Sequence, residues 1–189
     1  MHAVPPKGMT TISKTSSEKA ALRTQMRALS AGKVLEFEAL ASGWSCVESL
    51  PEFRSAQTIL VYMALQDEVP TLDFIRKWES AKRIVLPVVD GNELLLREYH
   101  PELLSAGWKG ILEPTASSAA VAPSEIDLAL IPGLAFDLSG GRLGRGKGFY
   151  DRLLPHLSCP KIGICQKWRI AAQVPCEDWD GRVDKIQAF

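Results

Sequence analysis

No run of about 20 apolar residues occurs anywhere, so no segment has the length and composition of a membrane-spanning helix. The opening residues, MHAVPPKGMTTISKTSS, lack the apolar stretch of a secretory leader, so a signal peptide is not expected. Residues 1–14 are expected to form a flexible tail ahead of one domain over residues 15–189. Neither charge is in excess. Lys+Arg and Asp+Glu number 22 each, so the chain carries no footprint of a bulk nucleic-acid binder. The four cysteines, Cys46, Cys159, Cys165 and Cys176, have neither CxxC nor metal-ligand spacing. Buried thiols in a reducing cytosol are the expectation. No internal repeat is visible. What remains is an ordinary globular composition, 46% hydrophobic and 23% charged, which fits a single domain with a sizeable core.

The chain does have a concentration of glycine. Gly140 to Leu154 reads GGRLGRGKGFYDRLL, with five glycines and the cations Arg142, Arg145 and Lys147 in one loop. Glycine lets a ligand approach main-chain N–H groups closely. Phe149 to Leu154 reads as the start of a helix. A cationic glycine loop entering a helix N-terminus is suited to an anion, and phosphate is the first reading. Gly141 to Lys147 fits G-x-x-x-x-G-K, but Gly148 follows where a P-loop needs Ser or Thr on Mg²⁺. A metal ligand must then come from elsewhere, and Asp151 is the nearest acid. A glycine-rich surface hairpin is the plain alternative. It would leave three cations crowded together with no anion to neutralise them.

The rest of the chain alternates helices and strands. Thr15 to Ser30 reads as a helix with a T-x-x-E capping box at Thr15 and Glu18 and a Leu22/Met26/Leu29 stripe. Lys19 and Arg23 lie one turn apart on it, so both could reach one anion. A second helix is expected over Val34 to Leu50, with Phe37, Leu40, Trp44 and Val47 inward and Pro51 ending it. Thr58 to Ala64 is a buried strand, and Glu68 follows where α/β sheets meet ligands, beyond a strand's carboxyl end. A third helix is expected from Pro70 to about Ser80. Arg83–Val89 and Glu93–Tyr99 form a hairpin about Asp90-Gly91-Asn92. Leu103 to Ser124 is loop-rich and carries Trp108, with Ala116 to Ala122 expected to be mobile. Ile126–Pro132, Lys161–Cys165 and Lys185–Phe189 are the later strands. This order gives an α/β layer fold.

The run PGLAFDLSGGRLGRGKGFYDRLL resembles the signature of the 5-formyltetrahydrofolate cyclo-ligases (methenyltetrahydrofolate synthetases). Weaker pieces follow in that family's order. Lys19, Leu22 and Arg23 resemble its K-x-x-L-R. Tyr62 through Glu68 to Thr71 resembles its strand-plus-acid segment. Gly110 to Pro114 resembles G-I-x-E-P, and VPCEDWDGRVDKI resembles V-P-x-x-x-x-D-x-x-V-D-x-I. The match covers nearly the whole chain, from Lys19 to Ile186. Phe149 stands where the family usually has Tyr, and Pro70 stands where an acid commonly follows Glu68.

The resemblance implies a single three-layer α/β/α domain of the NagB/RpiA/CoA-transferase-like kind. It implies an ATP- and Mg²⁺-dependent cytoplasmic enzyme, expected to be monomeric, acting on small molecules without nucleic acid or membrane partners. The reaction implied converts 5-formyltetrahydrofolate, free or polyglutamylated, to 5,10-methenyltetrahydrofolate, with release of ADP and phosphate. Lys19, Arg23, Arg142, Leu143, Gly144, Arg145, Gly146, Lys147, Gly148, Phe149 and Tyr150 would bind the nucleotide. Met63, Glu68, Trp108, Phe149 and Tyr150 would contact the folate, with Asp151 and Asp184 on Mg²⁺. Arg145, Lys147 and Glu68 would be catalytic. The residues suit such chemistry, because phosphoryl transfer needs positioned cations and N–H donors more than a protein nucleophile. Two other readings predict different observations. A protein that binds ATP or folate without turnover would be stabilised by ligand but release no ADP. An ATP-using enzyme for another formylated or carbonyl substrate would release ADP only with that substrate.

Overall fold

The structure is a computed structural model that describes residues 14–107 and 110–189. In chain order the elements are α1 (Lys14–Ser30), α2 (Phe37–Ser49), α3 (Pro51–Ser55), β1 (Thr58–Leu60), α4 (Leu72–Trp78), β2 (Arg83–Asp90) and β3 (Glu93–Glu98). Then come the short strands β4 (Leu104–Ala106) and β5 (Leu112–Pro114), followed by β6 (Leu128–Pro132), β7 (Ala135–Phe136) and β8 (Arg142–Leu143). The last three are α5 (Phe149–Leu153), β9 (Lys161–Cys165) and β10 (Lys185–Ala188). The main sheet has the order β10-β9-β6-β1-β2-β3. Every neighbouring pair in it is parallel except the β2–β3 hairpin.

Side-chain alternation along these strands produces the layers. Ile59, Val61, Ile84, Leu86, Leu128, Leu130, Ile162 and Ile164 pack with Trp44, Phe53 and Phe74 from α2, α3 and α4. Leu60, Val85, Ala129, Ile131 and Cys165 point the other way and pack with Leu153 at the end of α5 and Leu154 and Leu157 after it. Both faces of the sheet are therefore covered, as a mostly parallel sheet requires, and the chain is one α/β domain. The strands carry near-continuous apolar runs for that reason. Phe189 closes the first core. Its ring meets Trp44 edge-on at 4.9 Å, and Gly43 lets it in, since a side chain at Gly43 would collide with it.

Several expectations shift. Thr15 lies inside α1, not at its cap. Residues 33–36 lie outside any helix, and Phe37 opens α2 at 81% exposure although it shares the stripe of Leu40, Trp44 and Val47. Helical side chains lean toward the N-terminus, so the first one projects past the end of the layer. Pro51 ends α2 and also opens α3, at the first helical position, where its missing N–H costs nothing. The ladder of β1 stops at Leu60. Beyond it Tyr62 is tied into a turn, its hydroxyl donating to Val69 O at 3.0 Å and its carbonyl accepting from Thr71 Oγ1 at 2.7 Å. The third helix accordingly starts at Leu72 and not at Pro70. Ala116 to Ala122, expected to be mobile, is packed along β3: Val121 N donates to Leu96 O and Glu98 N to Ala119 O, both at 2.9 Å. The segment covers an edge strand that would otherwise offer unpaired main-chain groups. Of the thiols expected to be buried, Cys159 and Cys165 are, and Cys46 is exposed. The expected tail lies outside the described residues except for Lys14.

Candidate active site

A cleft enclosing about 820 Å³, its open mouth included, lies beyond the carboxyl ends of β1 and β6. Tyr62, Met63 and Glu68 reach it from the turn after β1, and Gly133 from the end of β6. Pro87 and Val89 of β2, with Leu94 and Ile111, form an apolar wall. Opposite stand Gly144, Arg145, Lys147, Gly148, Phe149 and Tyr150 of the glycine loop. Of the expected folate residues, Met63, Glu68, Phe149 and Tyr150 thus share one cleft. Trp108 lies outside the described residues.

The loop is held from below by Asp137. Its Oδ1 accepts from Ser139 N at 2.9 Å, Ser139 Oγ at 2.6 Å and Gly141 N at 3.0 Å, and its Oδ2 accepts from Val174 N at 2.7 Å. Burial alone would raise the Asp137 pKa; these donors outweigh it and hold the carboxyl below its usual range. Gly140 makes the turn at φ +86°, where any side chain would strike the Val183 carbonyl. This β7–β8 hairpin separates β6 from α5, and α5 has only five residues. The arrangement is therefore not the direct strand–loop–helix of a P-loop. What the loop offers in place of a long helix is its own main-chain N–H groups and cations.

The cations divide. Arg142 is buried, donating through Nη2 to Asp151 Oδ1 at 2.7 Å and through Nη1 to Pro132 O at 3.3 Å. Its guanidinium carbon lies 5.3 Å from the Tyr150 ring centre. Leu143 is buried in a third apolar cluster with Met26 and Leu134, and its carbonyl accepts from Leu134 N at 2.7 Å. Its side chain does not line the cleft. Lys147 is exposed on the cleft rim. Gly146 and Gly148 adopt φ of +98° and +70°, which favours glycine at both positions.

Arg145 crosses the cleft. Its Nε and Nη2 donate to Glu68 Oε1 at 3.0 and 2.9 Å, and Nη2 also donates to Asp67 Oδ1 at 2.5 Å. Glu68 Oε2 accepts from Leu65 N at 3.0 Å, which fixes the acid in its turn. Asp67 Oδ2 accepts from Arg169 Nη2 at 3.0 Å. Burial would raise the Asp67 pKa, but the two arginines hold it below the usual range. Burial, then the Glu68 charge, raises the Tyr150 phenol well above its ordinary value, so it stays protonated as a donor at neutral pH. Burial pushes the Cys165 thiol up to about 12, so it is not a nucleophile at neutral pH.

On the far side of the loop, Arg23 Nε donates to Gly144 O at 3.0 Å, and the Arg23 guanidinium flanks Gly146. One turn earlier Lys19 is buried and pairs with Asp180 at 2.5 Å and Glu177 at 3.4 Å. Of the two α1 cations, Arg23 reaches the glycine loop, and Lys19 reaches the tail acids Glu177 and Asp180. Asp184 is placed differently. It sits at the amino ends of β9 and β10, accepting from Lys161 N at 2.7 Å. The cleft lies beyond the carboxyl ends of β1 and β6. The five-residue length of β9 separates Lys161 from Cys165 by roughly 13 Å. Asp184 and Asp151 are therefore not brought together, because an acid just before a parallel strand marks the wrong end of the sheet. Asp180, from the same tail, is the acid beside α1. Among the described residues no three His, Cys, Asp or Glu form a metal cage. Mg²⁺ needs none, since one or two carboxylates with substrate phosphates and water suffice. Asp151, half-buried on the cleft wall, fits that demand.

Sequence reasoning also missed Asp67 and Arg169. Asp67 was visible as the acid adjoining Glu68. Arg169 had no signal, since a lone arginine in a tail segment reads as surface. Asp180 was the first acid of the V-P-x-x-x-x-D pattern.

Residues 13–188 match the model of the 5-formyltetrahydrofolate cyclo-ligase family. The chain belongs to that family. It is accordingly a cyclo-ligase-type enzyme. It is 35% identical over 140 residues to the 5-formyltetrahydrofolate cyclo-ligase of Escherichia coli K12, covering 69% of this chain and 76% of the relative. The cyclo-ligase of Haemophilus influenzae is 31% identical over 170 residues, covering 84% of this chain and 91% of that one. The structure of Aquifex aeolicus 5,10-methenyltetrahydrofolate synthetase superposes with a TM-score of 0.80 at 32% identity, covering 90% of this chain and 89% of that one. Among the described residues no helix is long and apolar enough to cross a membrane.

Proposed function

We propose that this enzyme converts 5-formyltetrahydrofolate to 5,10-methenyltetrahydrofolate with consumption of ATP. The observation that carries the reading is one cleft with two different walls. One wall has the cations and glycines that suit a triphosphate, and the other is apolar with a fixed acid, Glu68, that suits a pterin ring.

The formyl oxygen is amide-like and leaves poorly. It attacks the γ-phosphorus, forming an O–P bond as the bond to ADP breaks. N10 then attacks the activated carbon, the C–O bond breaks, phosphate departs and N10 loses its proton. The chain supplies no nucleophile. Lys147 and Arg145 offset charge on the transferring phosphoryl group, and main-chain N–H groups at Gly146 and Gly148 add donors. Arg23 and Lys19 serve the phosphates from α1. Glu68 orients the folate, and Phe149 and Tyr150 separate the two ligands. Asp151, with Asp180 in place of Asp184, would hold Mg²⁺. When bound, the ion offsets charge on the phosphate oxygens. Arg142, which also lines the cleft, positions Asp151. Small-molecule partners, a monomeric state and a cytoplasmic location belong to the same reading.

The test is spectrophotometric. Protein is mixed with 5-formyltetrahydrofolate, Mg²⁺ and ATP, and the near-ultraviolet absorbance of the methenyl product is followed beside a control without ATP. An ATP-dependent rise is expected. A flat trace from folded protein that binds ATP would overturn the assignment.

A further inference from the structure

We propose that Arg169 is a positioning residue that acts on the cleft through Asp67, setting the orientation of Arg145. The inference rests on the cyclo-ligase reading, in which Arg145 faces the transferring phosphoryl group. Arg169 belongs to the short turn after β9 and is 1% exposed, while the Asp67 side chain is 45% exposed. A fully buried arginine is costly, and an apolar residue of similar volume often serves stability as well or better. Its partners here are the Gly133 carbonyl, 3.4 Å from Nη1, and an acid in a half-exposed turn, Asp67, which leaves packing alone a poor account of it.

The charges alternate from the interior to the cleft: Arg169, Asp67, Arg145, Glu68. Asp67 uses one oxygen for each arginine, Oδ2 for Arg169 at 3.0 Å and Oδ1 for Arg145 at 2.5 Å. Gln166, the first residue after β9, holds the Asp67 main chain, its Nε2 donating to Asp67 O at 3.0 Å. Asp67 is thus fixed in both main chain and side chain by residues that do not line the cleft. Arg145 is then gripped by two carboxylates at Nε and Nη2, which sets the plane of its guanidinium. Nη1 is left for a ligand oxygen. Without Arg169 the Asp67 carboxylate is free to turn to solvent, and Arg145 keeps only Glu68. A cation displaced by about 1 Å loses much of its value in the transition state. Folate binding, carried by Glu68 and the apolar wall, is not touched.

The test compares wild type, Arg169→Met, Asp67→Asn and the double variant for kcat, folate KM and thermal midpoint, with 5-formyltetrahydrofolate as the varied substrate. The expected result is a kcat at least ten-fold lower in each single variant, with folate KM within three-fold of wild type. The loss should be present well below the melting transition. The double variant should be no slower than the slower single variant, because both break one chain. If Arg169→Met does not fold, Arg169→Lys takes its place, since it keeps the charge and removes the planar donor fork that holds Asp67. Wild-type kcat in either folded variant, or single losses that multiply in the double, would overturn the inference. A wild type without ATP-dependent turnover overturns the cyclo-ligase reading and this inference with it. An active wild type beside fully active variants overturns this inference alone.

Discussion

Arg145 of the glycine loop and Glu68 of the turn after β1 meet across the cleft, with Nε and Nη2 of the arginine both donating to Oε1 of the acid, at 3.0 and 2.9 Å. They lie 77 residues apart in sequence. The pair joins the wall that suits a nucleotide to the wall that suits a folate. Glu68 is 9% exposed in its side chain, so the bond is largely shielded from solvent. Removing one member of such a pair leaves the other charge poorly solvated.

Glu68→Gln keeps the shape of the acid and one acceptor for Leu65 N. It removes the charge that faces Arg145 and, in the proposed reading, the folate. The folate KM should rise ten-fold or more, with the ATP KM within about three-fold of wild type. Steady-state kinetics with each substrate varied in turn checks this, and an unchanged folate KM would remove Glu68 from the folate site.

Lys147 stands exposed on the rim and supports no buried contact, so Lys147→Ala should leave the thermal midpoint near that of wild type. ATP-dependent turnover should fall by two orders of magnitude or more, the range seen when a group aimed at developing charge is lost. Turnover within a few-fold of wild type, measured in the same assay, would end its assigned role.

Asp151→Asn should raise the Mg²⁺ concentration needed for half-maximal turnover. Asp180→Asn should do the same, while Asp184→Asn should not, because Asp184 lies at the amino ends of β9 and β10. Magnesium titrations of the three variants decide between the two tail acids. A shift in the Asp184 variant alone would reverse the placement argued from the sheet.

Asp137→Asn replaces one accepting oxygen by an NH₂ that cannot satisfy the facing donors. The cost should be about 1–3 kcal/mol, a drop of several degrees in thermal midpoint. The pH dependence has a definite sign. The Asp137 carboxyl is held low in the folded protein, and the unfolded value is about 3.9. Its contribution is therefore complete above the unfolded pKa and fades as pH falls through the folded pKa. The stability gap between wild type and variant should be full at pH 7 and narrow below about pH 4. Denaturant melts at both pH values measure it, and a gap that widens in acid would contradict the assignment.

The buried strands were legible because a parallel sheet covered on both faces writes continuous apolar runs. Lys161–Cys165 and the Asp-Gly hairpin were readable within a residue or two. The glycine loop was legible because its cations and glycines are adjacent in sequence. The layer edges were not. Phe37 has the period of the core stripe, but among the described residues nothing covers it at the start of α2. Ala116 to Ala122 reads as mobile by composition, and its order comes from a pairing with β3 that no local pattern encodes. Asp184 and Asp180 are equivalent as letters four apart. Only the fold distinguishes them, with Asp180 on Lys19 of α1 and Asp184 at the amino ends of β9 and β10. Arg169 was invisible for the related reason that its partner lies 102 positions away.

The most direct measurement is the stoichiometry of a limiting-ATP reaction, with methenyl product read by absorbance and ADP by chromatography in the same sample. The account predicts one methenyl formed per ADP released, and neither product when ATP or 5-formyltetrahydrofolate is left out. ADP release without methenyl formation, or methenyl formation without ATP, would contradict it.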